Sequence, residues 1–257
     1  MSRVLLGVLS DEERHDQMQQ AVNLGLPFLQ KSKKLRADAV SICGYGPSLL
    51  DTWKTAKTYQ KVFHRPLITV SGAHDFLVAR GVIPDFHVEI DPRPHKPKML
   101  TRPQRKTQYL MASVCHPEFW DILHGYDVRL WHMVNDRSTV EWVAAHHPAG
   151  VTSLIGGGSS AGQRAMNVAS WLGFQKFNIF GMDFSYALGK LHADTHTGGI
   201  QPRTMATVNG REFFTTKQLL QAAQEMNAFL EDNELDITFH GDGLMQELAR
   251  EIRKRKQ

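Results

Sequence analysis

The feature that most constrains the fold is a regular alternation of segment types. Apolar runs at 39–43, 67–71, 86–90, 108–114, 128–133, 151–155 and 177–181 are separated by helix-length stretches near 48–60, 74–81, 117–124, 138–147 and 159–172. The runs are continuously apolar rather than alternating, as expected of strands covered on both faces, and a strand–helix–strand rhythm requires parallel pairing through crossover helices. The sequence therefore predicts an α/β fold: a Rossmann-like, mostly parallel sheet with helices on both faces.

The ends of the chain follow other patterns. Residues 11–35 are polar with scattered Leu, Val and Phe, and predict one or two helices that form a lead-in to the core, which itself spans 38–183. After Asp183 the periodicity stops for about twenty residues, and such an irregular stretch inside a compact domain is usually functional. Asn209-Gly210 between two short apolar runs is a hairpin signal. The stretch that follows predicts a helix capped by Thr215 or Thr216, with Leu219, Leu220, Ala223, Met226 and Leu230 on one face. A last strand at DITFHG and a basic helix complete a C-terminal hairpin, helix and strand over 204–257. No linker divides the 257 residues, so they are read as one domain.

Composition excludes several classes. No run reaches the roughly 18 apolar residues of a membrane span, and the N-terminus turns acidic and polar too early for a secretory signal; the expectation is a cytoplasmic protein with no membrane insertion. Cys43 and Cys115 both fall at strand ends and read as reduced, packed thiols. The formal net charge of +4 makes anionic partners, nucleic acid among them, a reasonable expectation.

Ligands of a doubly wound sheet collect beyond the carboxyl ends of the strands, and there the sequence is rich in polar residues. Gly44, Tyr45, Gly46, Pro47 and Ser48 follow the first strand, Ser71, Gly72, Ala73 and His74 the second, and Asp91 the third. Gly157, Gly158, Ser159 and Ser160 precede a helix, and Asp183 ends the last core strand. Glycines before a helix allow close backbone approach and expose N–H groups to an anion, so the 44–48 and 156–160 turns are candidate phosphate nests. The first lacks the third glycine of the dinucleotide fingerprint, and neither ends in the Lys-Ser/Thr of a Walker loop. His192 and His196 sit in the irregular stretch between Gly189 and Gly198-Gly199. Those glycines argue against the helix a zinc pair would need and predict a mobile loop carrying imidazoles over the cleft.

Taken together, CGYGPSLLD, ITVSGAHDFLVARGVIPDFHVEIDP, LIGGGSSAGQRAMNVASWLGFQKFNIFGMDFSY and HADTH resemble the MptE-like Rossmann family, which includes Maf-type flagellin glycosyltransferases and archaeal 6-hydroxymethylpterin diphosphokinases. Bacterial sialyltransferases are a more distant resemblance. The resemblance covers roughly 39–196 and implies a nucleotide in the cleft. Ile90-Asp91-Pro92 is closer to the glycosyltransferase branch than to the acid-rich strand of the diphosphokinases. The implied activity is transfer of a sugar from a nucleotide-activated donor to an acceptor hydroxyl, on a glycan or a modified nucleic acid. An ATP-dependent diphosphokinase acting on a pterin-like alcohol is the alternative, and a non-catalytic nucleotide- or nucleic-acid-binding module is the third reading. In the first reading Gly44–Ser48, Ser71–Ala73 and Gly157–Ser160 hold the donor, and Asp91 binds a donor hydroxyl or a divalent metal. His192 or His196, with Asp183, then supplies the proton transfer.

Overall fold

The computed structural model describes residues 9–194, 202–233 and 235–256. Eight strands form one sheet: β1 (Arg36–Cys43), β2 (Leu67–Val70), β3 (Phe86–Glu89), β4 (Gln108–Ala112), β5 (Asp127–Met133), β6 (Leu154–Ile155), β7 (Phe174–Phe180) and, after a separate hairpin of β8 (Arg203–Val208) and β9 (Arg211–Thr216), β10 (Asp236–His240). The spatial order is β10-β7-β1-β2-β3-β4-β5-β6, and every pairing in this sheet is parallel. The chain steps outward from β1 to β6 and then returns to the other side of β1. The gap between the ends of β1 and β7 is therefore the topological switch point, where such sheets hold their ligands.

Helices cover both faces. Alternate residues of β1 point to opposite sides, so Val40 and Ile42 enter one apolar cluster and Cys43 the other. The first cluster receives Met18 and Ala21 from α1 (Asp11–Asn23), Ala165, Met166, Val168 and Ala169 from α6 (Ala161–Trp171), and residues of α7 (Lys217–Asp232) and α8 (Leu244–Lys256). The second is closed by Leu49 and Ala56 of α2 (Leu49–Lys61) and by Ala73, Phe76 and Leu77 of α3 (Ala73–Val78). Short α4 (Glu118–Ile122) and α5 (Arg137–His146) complete the crossovers.

Local chemistry sets the helix ends. Ser10 with Glu13, and Ser160 with Gln163, form reciprocal capping boxes. Of the two threonines that could start α7 it is Thr216 whose hydroxyl accepts from Leu219 N–H, at 3.2 Å. The Asn209-Gly210 turn takes positive φ at both residues, 51° and 74°, which is what a two-residue hairpin requires.

One element differs from its sequence reading. The expected strand at 151–155 is mostly a 3₁₀ turn, Pro148–Ser153, and only Leu154–Ile155 pair with β5. Proline fixes φ and removes a donor at the start of that segment, and added bulk at Gly150 would meet the ring atoms of His147 and His132. The lead-in contains one helix, after which Phe28 bridges to Leu130.

Candidate functional site

A cavity of about 710 Å³ opens at the carboxyl edge of the sheet, around the switch point. Its floor comes from the ends of β1, β2, β3 and β7, and its walls from the start of α6, the start of α7 and the 184–194 segment. Of the residues that the sequence singles out, Gly44, Tyr45, Gly46, Ser71, Asp91, Ser159, Ser160, Asp183 and His192 line it. Pro47, Ser48, Gly72 and Ala73 do not, and Gly157 and Gly158 line a separate, smaller cavity. His196 lies outside the described residues.

The glycine turn after β1 has an internal purpose. Gly46 N–H donates to Gly181 O at 2.8 Å, and Ser48 N–H and Oγ donate to Asp183 Oδ2 and Oδ1 at 2.8 and 2.5 Å. A Cβ on Gly44 would lie 2.5 Å from Gly181 O, and one on Gly46 would lie 2.5 Å from Asp183 Oδ2 and 2.7 Å from Gly181 O. The close approach that requires glycine is thus between two turns of this chain. In the turn read from sequence as a phosphate nest, the Ser48 N–H and hydroxyl at the start of α2 already hold the Asp183 carboxylate.

The second nest is closed in the same manner. Gln163 Oε1 accepts from Ser159 N–H, Ser160 N–H and Ser160 Oγ at 3.0, 3.1 and 3.1 Å. Ser159 Oγ is buried, makes no hydrogen bond within the described protein, and belongs to a residue that lines the cavity. It is a hydroxyl suited to a ligand.

Asp183 is itself buried, and Gln246 Nε2 adds a third hydrogen bond at 2.8 Å to Oδ1. Burial raises its carboxyl above the ordinary value, against the lowering effect of the Ser48 and Gln246 bonds. With both oxygens engaged, the carboxylate pins two turns and α8 together, so the residue expected to take part in proton transfer also has a structural task at the cavity wall.

The charged centre of the cavity lies after β3. Arg93 grips Asp91 with two bonds, Nε to Oδ1 at 2.8 Å and Nη2 to Oδ2 at 2.5 Å, while Lys96 Nζ stands 3.5 Å from Oδ2 and donates to Ser71 Oγ at 3.0 Å. Burial opposes ionisation of Asp91, but Arg93 and Lys96 outweigh it and hold the carboxyl below its ordinary value. Glu89 is more deeply buried; its Oε1 accepts from the N–H groups of Ile90 and Asp91, and burial pushes it up to about 6. Ser71 adopts φ 50° beside Lys96, an uncommon conformation for a non-glycine residue that often marks a site. Lys96 and Arg93 had only a Pro-rich, basic run after the strand as sequence signal.

Across the cavity, the His192 ring stacks on Tyr45, with centroids 5.4 Å apart and planes at 21°. The segment carrying it is held down: Tyr186 N–H donates to Phe214 O at 2.7 Å, Ala193 N–H donates to Tyr45 O at 3.0 Å, and Ala193 is buried. The described part of the loop expected to be mobile thus packs on the core at Tyr186 and Ala193, and the rest of it, 195–201, lies outside the described residues. His95 also lines the cavity, on the side of Arg93 and Lys96, whereas three other histidines do not. His74 is fully buried between Asp75 and Tyr109, and His240 stacks on Phe180; neither they nor His116 line the cavity.

With this geometry in place, comparison with known proteins is decisive for kinship. The family described as 6-hydroxymethylpterin diphosphokinase MptE-like matches residues 15–189. The chain belongs to the MptE-like family. Among solved structures, it is similar to the MAf glycosyltransferase from Magnetospirillum magneticum AMB-1, with a TM-score of 0.69 and 19% identity over 91% of this chain. The chain spans 37% of that protein's length. A mammalian sialyltransferase in complex with Gal-beta-1-3GalNAc-ortho-nitrophenol matches more loosely, with a TM-score of 0.45 and 10% identity over 88% of this chain and 78% of that one. A search of curated proteins gave no match. No described helix is long and apolar enough to cross a membrane.

Proposed function

We propose that the chain is a glycosyltransferase that takes a sugar from a nucleotide-activated donor and passes it to an acceptor hydroxyl. The observation that carries this reading is the condition of the acids after β3. Asp91 is closed by a guanidinium and an ammonium, and Glu89 spends one oxygen on two backbone N–H groups. Magnesium at a nucleotide is held through one or two protein carboxylates, with substrate phosphates and water completing its shell, and here the cavity carboxylate Asp91 has both oxygens on Arg93. The donor set does not fit magnesium, so no step is routed through it, and the diphosphokinase reading, which relies on metal-bridged phosphates, is the weaker one. The fold shared with the MAf glycosyltransferase supports the same choice.

In the reaction, an acceptor oxygen attacks the anomeric carbon as the bond from that carbon to the donor phosphate breaks, and the nucleotide leaves with the electron pair. His192, oriented by its stack on Tyr45, takes the hydroxyl proton. Lys96, fixed by Ser71 and Asp91, faces the negative charge that builds on the leaving phosphate. Ser159 Oγ offers a further hydrogen bond to the donor. Behind Tyr45 of the cavity wall, Arg80 lies 3.5 Å over the Phe76 ring, which meets Tyr45 edge-on, and Lys54 and Lys57 lie about 6 Å from the Trp53 ring. None of the three cations is in a salt bridge among the described residues. Cations interleaved with aromatic rings favour an anionic acceptor such as nucleic acid over a neutral glycan.

The test is to incubate the protein with UDP-, GDP- and CMP-sugars and, separately, with ATP and magnesium. One nucleotide sugar should raise the melting temperature and be slowly hydrolysed in the presence of a chelator, and His192→Ala should lower turnover more than donor affinity. AMP release from ATP with all sugars intact would instead identify a diphosphokinase, and binding without turnover a non-catalytic module.

A further inference from the structure

A second cavity, of about 320 Å³, follows the first along the seam between α6 and α7. The two are separated at Gln163, whose Nε2 donates to Ala222 O across the seam at 3.2 Å while its Oε1 closes the 159–160 turn. α7 lies beyond the stretch matched by the family model, 15–189.

Its chemistry is specific. Two buried methionines, Met166 and Met226, and the ring of Phe229 supply polarisable apolar walls. Gly157 and Gly158, both with positive φ (88° and 74°), form another side, where Asn167 Nδ2 donates to Gly157 O at 3.1 Å. Glu225 is the one acid in the lining. Gln221 Nε2 donates to its Oε1 at 3.1 Å and so orients the carboxylate, while the buried Oε2 takes no hydrogen bond from any described group. Glu225 is in no salt bridge among the described residues either; the nearby Arg164 turns its two terminal nitrogens to Val134 O, Ile155 O and Asn135 Oδ1, its buried Nε makes no hydrogen bond, and it acts on Glu225 through charge without a direct contact. A buried carboxylate oxygen without a donor is costly. A ligand that satisfies it must bring a hydrogen-bond donor, for which an amino N–H is well suited, and a ligand that fills the rest must be apolar and of limited size. A saturated ammonium would need several acceptors and would leave the apolar walls unfilled.

We propose that this cavity is a second small-molecule site that takes a planar heteroaromatic ring bearing an amino group, the amino N–H donating to Glu225 Oε2 and the ring lying against Met166, Met226 and Phe229. The proposal is independent of the transfer reaction assigned to the main cavity. It is tested by calorimetric titration with matched nucleosides that differ only in the amino group: adenosine against purine riboside, and guanosine against inosine. The aminated member of a pair should bind at least about tenfold more tightly, as expected for one buried hydrogen bond to a charged group. Glu225→Gln, checked for an unchanged thermal melt, should weaken that binding about tenfold and remove the preference within each pair, and Phe229→Ala should weaken both members. Lys96→Met, in the main cavity, should change neither. The proposal is overturned if no aminated nucleoside binds up to its solubility limit, if the pairs bind equally, or if Lys96→Met rather than Glu225→Gln abolishes binding.

Discussion

Removing the Asp183 carboxylate should cost stability before it costs chemistry. Its oxygens accept from Ser48 N–H, Ser48 Oγ and Gln246 Nε2, and the orientation of Gln246 is fixed independently, because its Oε1 accepts from Gly243 N–H at 2.9 Å and its Nε2 also donates to His240 O at 3.1 Å. Asp183→Ala leaves Ser48 N–H and Gln246 Nε2 without that acceptor. Each unsatisfied buried donor costs about 1–3 kcal/mol; Ser48 is only half-buried and can turn to water, so the expected loss is about 2–4 kcal/mol in total. Asp183→Asn should lose less. Its carbonyl can occupy the Oδ1 position and keep Ser48 Oγ and Gln246, while its amide then confronts Ser48 N–H. The neutral side chain also relieves a burial penalty. The folded carboxyl is raised, so the charged form above that value carries a desolvation cost, and stability contributed by the protonated form is lost as pH rises from the ordinary carboxyl range through the raised value. Above that window Asn escapes the cost, which places its net loss at about 1–2 kcal/mol. Urea denaturation measures both, as a lower midpoint at unchanged m. If Asp183→Ala stays within about 1 kcal/mol of the parent, or destroys turnover with no loss of midpoint, the carboxylate is a reacting group and not a pin.

Gly46→Val should unfold the switch-point region whether or not a nucleotide binds, since its Cβ would sit 2.5 Å from Asp183 Oδ2 and 2.7 Å from Gly181 O; thermal melting without ligand checks this, and a normal melt with lost binding would restore the ligand-approach reading. His132 is held down to about 3 by burial and by His147; the unfolded imidazole takes up a proton near 6.5 that the folded one refuses, so stability should fall with acidification by up to about 1.4 kcal/mol per pH unit. His132→Gln should flatten that slope in urea midpoints measured from pH 7 to 4. Cys43 and Cys115 are buried with thiols pushed up by desolvation, so a thiol-reactive chromophore should react with both only after unfolding.

Most of the fold was legible because parallel sheets advertise themselves. Strands covered on both faces must be apolar throughout, and six of the seven predicted runs coincide with strands to within a few residues. The run at 151–155 misled because Val151 and Leu154-Ile155 supply the composition of a strand while Pro148 and Gly150 dictate the local geometry of a turn. Strand order was not legible, since nothing in β10 shows that it pairs with β7 at one edge. The cluster Glu89, Asp91, Arg93 and Lys96 was visible only as a list of polar residues; that Lys96 returns to Ser71 of the neighbouring crossover is a fact of the fold.

The glycine turns show where sequence reasoning stops. A glycine before a helix reports that something approaches the backbone closely, but not whether that something is a ligand or another part of the chain. At Gly44 and Gly46 the visitor is the Gly181–Asp183 turn, and at 159–160 it is the Gln163 side chain. Both fillers are negatively polarised oxygens, the same chemistry a phosphate would offer, so the signal for anion binding was physically sound and its source internal. The consequence is that binding in the main cavity cannot draw on the Ser48, Ser159 or Ser160 N–H groups without first displacing Asp183 or Gln163. The cationic side chains that line the cavity are Arg93, Lys96, Lys190 and Arg203, with the Ser159 hydroxyl beside them, which makes donor affinity depend on side-chain charge: Lys96→Met should weaken nucleotide binding, and rising salt should do the same. Nucleotide affinity that ignores both would mean that one of the internal caps opens when ligand arrives.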